Sequence, residues 1–220
     1  MGIQGLCSLL EGNRQIYQDI HFRDSKLVVD GKNLGHLLYR MATLDQNNDG
    51  EYLASQALIQ AFFKTQDNCQ IKPYVVIDIK RNPRMDHRKT FHHKTTALLK
   101  GRKMGIYPPL IMEVFEQTLS DMEVPLVRCF GEADGQLAAL AREWCCPVLS
   151  TDTDFYIYDL PEGVLPLDHS RWHTVETSRG IPCKRYTTSS FCTFFFDRQL
   201  LPVFASLAGN DYTNLKINWD

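Results

Sequence analysis

The chain has 220 residues, of which 44% are hydrophobic and 11% aromatic, and this composition allows one sizeable buried core. No apolar run approaches the length of a membrane span, and the N-terminal residues lack the basic start and long apolar stretch of a signal peptide, so a soluble protein is expected. The seven cysteines are an odd number without a C-x-x-C pair, which argues against a disulfide framework or a zinc site and indicates a reducing compartment, nuclear or cytosolic.

Four short apolar runs predict β-strands, and their richness in Val, Leu and Ile is typical of strands covered on both faces. In chain order these runs are residues 26–30, 73–78, 125–130 and 147–150. Helical periodicity fills the intervals between them, and the last of these helices, over residues 132–144, has an acidic first turn. Strand alternating with helix predicts an α/β protein in which helices flank a central, mostly parallel sheet.

The last third of the chain predicts two short helices broken near Pro202. We find no repeat, low-complexity linker or convincing domain boundary in the sequence, so a single domain over residues 1–220 is expected.

Carboxylates follow the ends of the predicted strands, where ligands gather in parallel sheets. Seven like charges near one sheet edge are tolerable if divalent cations neutralise them, and oxygen-only ligands favour Mg²⁺ or Mn²⁺. The seven candidate metal ligands are Asp30, Asp78, Glu132, Asp134, Asp152, Asp154 and Asp211.

Each of these acids taken singly also has a purely structural explanation. Asp30, Asp152 and Asp211 can cap the N-termini of helices. Glu132 and Asp134 can complement a helix dipole. The structural explanation weakens for the set as a whole, because it needs all seven carboxylates to meet at one sheet edge by chance.

A basic segment interrupts an otherwise acidic chain. Residues 80–103 contain nine Lys or Arg and one acidic residue, and therefore carry +8. Because the net charge is −2, the rest of the chain carries −10. Such a concentration of positive charge indicates a polyanion partner, and the alternative is a solvated surface loop.

Five blocks of sequence resemble, in order, the flap endonuclease/XPG group of PIN-like nucleases, and in particular its asteroid branch. They are MGIQGL at the N-terminus, VVDGKNL at 28–34, GEADGQLAAL at 131–140, STDTDF at 150–155 and LAGNDY at 207–212. Each block alone is a weak signal, whereas five blocks in order over nearly the whole chain are highly specific. The resemblance implies a PIN-like nuclease core, with residues 80–107 as a short basic arch-like insertion.

The resemblance also implies hydrolysis of DNA phosphodiester bonds by two ions of Mg²⁺ or Mn²⁺. The expected substrate is single-stranded, flap or overhang DNA, cut by a monomeric nuclear enzyme of DNA repair. All seven acids match catalytic metal-site positions of the family. Asp78, Glu132, Asp134 and Asp152 are expected to bind metal directly, with Asp154 close behind, whereas Asp30 and Asp211 are expected to act through water.

The resemblance further implies a set of DNA-contacting residues. His36 falls where flap endonucleases place a base-stacking aromatic residue, although a histidine on a helix surface is an equal alternative. The implied DNA contacts are Gly2, His36, Lys80, Arg81, Arg88, Lys89, Lys94, Lys100, Arg102 and Lys103.

Two departures and two rival functions accompany the resemblance. Ile79 stands where the family usually has glycine, and only 53 residues separate Asp78 from Glu132, too few for a full arch and cap. The first rival is a catalytically weak PIN-like scaffold that binds nucleic acid or a protein partner, which would not need seven acids. The second is a phosphatase or transferase site at residues 152–154, which leaves the other aspartates unexplained.

Overall fold

The computed structural model describes residues 6–41, 52–79, 110–174, 179–195 and 197–208. The strands of these ranges, numbered along the chain, are β1 (Gln18–Phe22), β2 (Lys26–Asp30), β3 (Lys72–Ile79), β4 (Leu126–Phe130), β5 (Val148–Leu149), β6 (Val164–Leu165) and β7 (Ile181–Arg185). Five of the strands so described form a parallel sheet in the order β4-β3-β2-β5-β6, and β1 and β7 form a separate antiparallel ribbon.

Helices occupy both faces of the parallel sheet. Those in the described ranges are α1 (Leu6–Gly12), α2 (Gly31–Met41), α3 (Tyr52–Asn68), α4 (Ile111–Asp121), α5 (Asp134–Trp144), α6 (Thr188–Phe195) and α7 (Leu201–Ala208). Short 3₁₀ helices lie among them at Arg14–Ile16, Thr153–Tyr156, Leu167–His169, Trp172–Thr174 and Arg198–Leu200. None of the helices in these ranges combines the length and apolar character that a membrane crossing requires.

Alternation along the central strand creates two cores. Leu27 and Val29 of β2 pack with the apolar side chains of α2, α3 and α4 on one face of the sheet. Val28, between them, packs on the other face with those of α1, α5, α6 and α7. All three side chains are buried, because successive residues of a strand point to opposite faces and both faces carry helices.

The strand order reverses at β2. From β2 the chain adds β3 and then β4 on one side, and later adds β5 and then β6 on the other. In open parallel sheets, a crevice forms at such a reversal, outside the carboxyl ends of the two strands that flank it. Here that crevice lies between the ends of β2 and β5.

The predicted α/β class with a parallel sheet between helices is confirmed. One detail of the prediction is wrong. β4 is an edge strand and is not covered on both faces, since Val127 is 58% and Phe130 78% exposed. The two short helices predicted for the last third, broken near Pro202, are confirmed as α6 and α7. The break lies just before Pro202, which is the second residue of α7, where a helix needs no amide hydrogen from proline.

Each of the six cysteines whose side chain is described is a free thiol. The extent of the domain over residues 1–220 stays a prediction, because the structure describes only the ranges given above.

Candidate active site

A serine joins the two strand ends at the crevice. The Ser150 hydroxyl, directly after β5, donates a hydrogen bond of 2.8 Å to Asp30 Oδ2 at the end of β2. The Ser150 hydroxyl oxygen also accepts a hydrogen bond of 3.0 Å from the Asp152 N–H. The positions of Asp30 and Asp152 are therefore coupled through one fully buried side chain.

Asp30 caps the first turn of α2 from inside the crevice. Its Oδ1 accepts a hydrogen bond of 3.1 Å from the Asn33 N–H, so the capping alternative considered from the sequence is confirmed for this residue. Burial raises the pKa of Asp30, and the nearby carboxylates of Asp152 and Asp78 raise it further. Asp30 therefore both caps the start of α2 and lies among other carboxylates.

Gly31 allows α2 to start this close to the sheet. A Cβ atom at this position would lie 2.6 Å from side-chain carbons of both Ile77 and Val75 in β3. Any larger residue would push the first turn of α2, and with it the Asp30 cap, away from the neighbouring strand. The glycine therefore sets the distance between the helix and the strand that ends in Asp78.

Asp152 and Asp154 follow β5 in a short 3₁₀ turn. Asp152 Oδ1 accepts a hydrogen bond of 3.2 Å from the Asp154 N–H, so Asp152 also acts as a cap. Both side chains are partly exposed to the crevice, whereas Phe155 beside them is buried in the core. The turn thus holds two carboxylates at the crevice while its apolar residue anchors it.

Asp134 shows most clearly that the acids act on one another. It is the first residue of α5, and its pKa is raised to about 7. Burial is the largest cause, followed by the negative charges of four neighbouring carboxylates, Asp152, Asp30, Asp154 and Glu132. Side chains from β2, β5 and the start of α5 therefore share one electrostatic site.

Asp78 completes the described acidic set from β3 and has a basic partner. The Lys32 ammonium, in the first turn of α2, donates a hydrogen bond of 3.0 Å to Asp78 Oδ2. The Asp78 carboxylate also raises the pKa of Asp30. The first turn of α2 therefore contributes one positively charged side chain to a site whose other charged residues are acidic.

The oxygen donors of this site fit a divalent metal ion. Hard divalent cations prefer carboxylate oxygens, and a cluster of carboxylates that raise one another's pKa gains stability when a cation neutralises them. In the arrangement described, no three acidic, histidine or cysteine side chains are close enough together to hold an ion.

The structure brings together six of the seven predicted acids, Asp30, Asp78, Glu132, Asp134, Asp152 and Asp154. The seventh, Asp211, lies outside the described residues. His36 lies in α2 with its side chain partly exposed, and its predicted contact with a DNA base stays a prediction. The other predicted DNA contacts, Gly2 and the basic residues between Lys80 and Lys103, also lie outside the described residues.

The sequence interpretation missed the polar residues that hold the acids. Asn33 Oδ1 accepts hydrogen bonds from the Thr151 N–H at 3.1 Å and from the Thr151 hydroxyl at 2.9 Å. Ser150 and Lys32 were missed as well. The one signal available was position, because each of these residues lies within about three positions of a predicted ligand along the chain.

Comparison with known proteins identifies relatives over almost the whole chain. The chain is 38% identical over 231 residues to the human single-strand DNA endonuclease ASTE1, covering 99% of this chain and 34% of that protein. It is 38% identical to the zebrafish (Danio rerio) ASTE1 over 229 residues, covering 98% of this chain and 33% of that protein. The Drosophila melanogaster protein asteroid is 35% identical over 167 residues, covering 73% of this chain and 20% of that protein.

Solved nuclease structures share the fold. Human GEN1 in complex with Holliday junction DNA superimposes with a TM-score of 0.58 at 18% identity, covering 96% of this chain and 51% of that one. The catalytic core of Rad2 in complex with a DNA substrate gives a TM-score of 0.62 at 15% identity, covering 97% of this chain and 64% of that one.

No protein-family model matches the chain. The chain spans about one third of the length of its ASTE1 relatives. Over that third, 38% identity covers essentially every residue of the chain, and the fold is that of the GEN1 and Rad2 nuclease cores. The chain therefore corresponds to part of the ASTE1 and asteroid proteins, and it has the fold of the GEN1 and Rad2 structures.

Proposed function

We propose that this chain is an endonuclease that uses divalent metal ions to hydrolyse phosphodiester bonds in single-stranded or branched DNA. The observation that carries the proposal is the meeting of carboxylates at the crevice between β2 and β5. Ser150 there joins Asp30 to Asp152 through hydrogen bonds of 2.8 and 3.0 Å, and burial together with four neighbouring carboxylates raises the pKa of Asp134 to about 7. A site that makes its own acids hard to ionise is suited to bind cations.

Asp78, Glu132, Asp134, Asp152 and Asp154 would hold the metal ions, two in number, as Mg²⁺ or Mn²⁺. When bound, such ions activate a water molecule and stabilise the leaving oxygen of an in-line displacement. Asp30 does not bind the metal directly, because both of its carboxylate oxygens accept hydrogen bonds, one from Asn33 and one from Ser150. Its part is to keep the β2 and β5 ends in register.

Several observations support single-stranded DNA as the substrate. The curated relatives at 38% identity are named single-strand DNA endonucleases. The +8 segment of residues 80–103 provides the charge that a phosphate backbone attracts. We further propose that the enzyme is a monomer that acts in DNA repair in the nucleus, a compartment that suits a DNA substrate and the free thiols of the described cysteines.

A second candidate function has one specific observation in its favour. No three potential ligands of the described residues lie close enough to hold an ion, and a lysine occupies one carboxylate of the site. A PIN-like scaffold that binds DNA or a protein without cutting it would tolerate both features. The two candidates differ in a single measurable property, cleavage that depends on metal.

The test is a cleavage assay with end-labelled single-stranded, 5′-flap and fully duplex DNA, each in Mg²⁺, Mn²⁺ or EDTA. The endonuclease should produce internal cuts in the single-stranded and flap DNA with Mg²⁺ or Mn²⁺, and none in EDTA. Asp134→Asn should be inactive, whereas Asp67→Asn, an exposed aspartate near the end of α3, serves as the matched control.

Each outcome has a clear meaning. Binding of the DNA without cleavage under every metal condition would contradict the endonuclease and favour the scaffold. Cleavage that survives in EDTA or in the Asp134 variant would contradict a metal-dependent site at this crevice. Equal cleavage of all three DNA forms would contradict the preference for single-stranded and branched substrates.

A further inference from the structure

Lys32 and Asp78 form an ion pair inside the acidic site. The Lys32 Nζ atom lies 3.0 Å from Asp78 Oδ2, and the two side chains are 35% and 17% exposed. The pair joins the first turn of α2 to the end of β3 across 46 residues of sequence. It is therefore a tertiary contact, partly shielded from water, and not a local feature of one helix.

The position of Lys32 is unfavourable for the helix that carries it. A helix N-terminus carries partial positive charge, which attracts anions and repels cations. The first turn of α2 contains this lysine and no acidic residue. The carboxylate of Asp78, outside the helix, offsets this unfavourable interaction between the lysine and the helix dipole.

The same lysine relieves repulsion among the acids. Asp78 and Asp152 both raise the pKa of Asp30, which shows that their charges are felt across the crevice. An ammonium at hydrogen-bond distance from Asp78 offsets part of that negative charge. Neutralisation of closely spaced carboxylates is also the electrostatic role of a metal ion at such a site.

We propose that Lys32 is an internal counter-ion of Asp78 that a divalent metal ion must displace, and so is a positioning residue that sets the metal affinity of this site. The inference rests on the proposed function, because it needs a metal to bind. Without metal, the ammonium holds Asp78 in place. With metal, Asp78 exchanges the ammonium for the ion, and the energy of the broken pair is subtracted from the binding energy of the metal.

The test is a titration of the whole chain with Mn²⁺ alone, in which isothermal calorimetry measures the affinity. Lys32→Gln keeps a long polar side chain and removes the competing charge. It should bind Mn²⁺ about tenfold more tightly than the wild-type chain, a change equivalent to about 1.4 kcal/mol. Lys32→Arg restores a cation that can pair with Asp78, and should return the affinity towards the wild-type value.

Two controls separate the ion pair from a general effect of charge. Lys72→Gln removes the same charge from the start of β3. Six residues of strand separate Lys72 from Asp78 by about 20 Å, so this variant should change the Mn²⁺ affinity less than twofold. In an Asp78→Asn background, Lys32→Gln should also change the affinity less than twofold, because the pair is already broken. A larger effect in that background would overturn the pairing.

A second measurement uses thermal unfolding with and without Mn²⁺. Without metal, Lys32→Gln should unfold at a lower temperature than the wild-type chain, because it has lost the counter-ion. With saturating Mn²⁺ the difference should shrink or reverse. A lysine that only supports the fold would lower the unfolding temperature equally in both conditions and leave the Mn²⁺ affinity unchanged, which would overturn the inference.

Failure of the inference differs from failure of the proposed function. If the wild-type chain and Lys32→Gln bind Mn²⁺ with equal affinity, the metal site stands and the counter-ion role of Lys32 is wrong. Weaker binding by Lys32→Gln contradicts displacement in the same way. If none of the variants binds Mn²⁺, both the metal-dependent nuclease and the inference built on it are wrong.

Discussion

Asn33 and Thr151, which lie 118 residues apart in sequence, are joined by two hydrogen bonds to one oxygen. The Thr151 N–H and hydroxyl both donate to Asn33 Oδ1, at 3.1 and 2.9 Å. Asn33 belongs to the helix that Asp30 caps, and Thr151 immediately precedes Asp152. This contact therefore fixes the acids that follow β5 relative to the acid that ends β2.

The first prediction concerns this link. Asn33→Ala leaves two partly buried Thr151 donors without their acceptor, and should lower the free energy of unfolding by about 1–3 kcal/mol. It should also weaken metal binding by about 10- to 100-fold, as loss of a group that orients ligands does. Urea unfolding in EDTA measures the first effect, and Mn²⁺ titration measures the second.

Asn13→Ala is the matched control for the Asn33 variant. The Asn13 side chain makes one exposed hydrogen bond within its own turn, to the Leu9 carbonyl. Its loss should cost less than about 1 kcal/mol and leave Mn²⁺ affinity unchanged. Equal effects of the two substitutions on metal binding would contradict a positioning role for Asn33.

The second prediction concerns the pair of acids after β5. Asp152→Asn combined with Asp154→Asn should reduce cleavage by at least the order of 10²–10³-fold, the cost of removing a group that stabilises charge in a transition state. The fold should persist, because an asparagine at position 152 can still accept the hydrogen bond from the N–H of residue 154. Metal-dependent thermal stabilisation should disappear.

The control for this double variant changes the same charge at the opposite edge of the sheet. Asp67 and Asp121 lie near the ends of α3 and α4, helices that lead back to the starts of β3 and β4. Their replacement by Asn should leave cleavage and metal stabilisation intact. Full nuclease activity in the Asp152/Asp154 variant would contradict the assignment of the site.

The third prediction is a pH dependence of the metal-free chain. Asp134 has its pKa raised from 3.8 to about 7, so between these values the native state binds more protons than the unfolded chain. Stability falls with rising pH wherever the native state binds more protons. Asp134 therefore lowers the free energy of unfolding progressively as the pH rises from about 4, and this loss of stability reaches its full size above about pH 7.

Asp134→Asn removes this contribution. In EDTA, the free energy of unfolding of the variant should fall less than that of the wild-type chain between pH 5.5 and pH 8. Relative to the wild type, the variant should therefore be more stable at pH 8 than at pH 5.5. Urea unfolding at the two pH values measures the difference. If the wild type and the variant lose stability in parallel, the carboxyl group of Asp134 is not held in a protonated form by its neighbours.

The strands and the acids at their ends could be predicted from sequence because each depends on local pattern. A run such as residues 26–30 is apolar because both faces of β2 are covered, and a parallel sheet then places Asp30 and Asp78 at one edge. The ribbon of β1 and β7 and the two-residue strand β6 could not be predicted in this way. β1 is mostly exposed and polar, and β6 is too short for a period.

The polar contacts of the site could not be predicted, because they depend on which residues the fold brings together. Ser150 reaches Asp30 across 120 residues, and Lys32 reaches Asp78 across 46. No spacing within one segment encodes these pairs. The relation between an acid and the helix that it caps is local, and for that reason capping by Asp30 and Asp152 was foreseen.

The last prediction concerns the basic segment, residues 80–103, which lies outside the described residues and rests on sequence. It begins two residues after Asp78, so its start is tied to the candidate metal site. If it contacts single-stranded DNA, each Lys–phosphate or Arg–phosphate contact contributes about −0.7 to the slope of log affinity against log salt. Replacing Lys89, Lys94, Lys100 and Arg102 by Ala should then flatten that slope by up to about 3 units.

The experiment is a titration of single-stranded DNA at several salt concentrations, with Ca²⁺ present so that binding is measured with the acids neutralised. The quadruple variant should bind DNA more weakly at low salt, and approach the wild type as salt rises, because counterion release drives the lost contacts. Its Mn²⁺ affinity should not change, since metal binding rests on the carboxylates. Lys64→Ala with Lys72→Ala, at positions on α3 and at the start of β3, serves as the control for net charge. If the quadruple variant and the wild type give the same slope, the segment is a solvated loop and the DNA strand reaches the acids by another route.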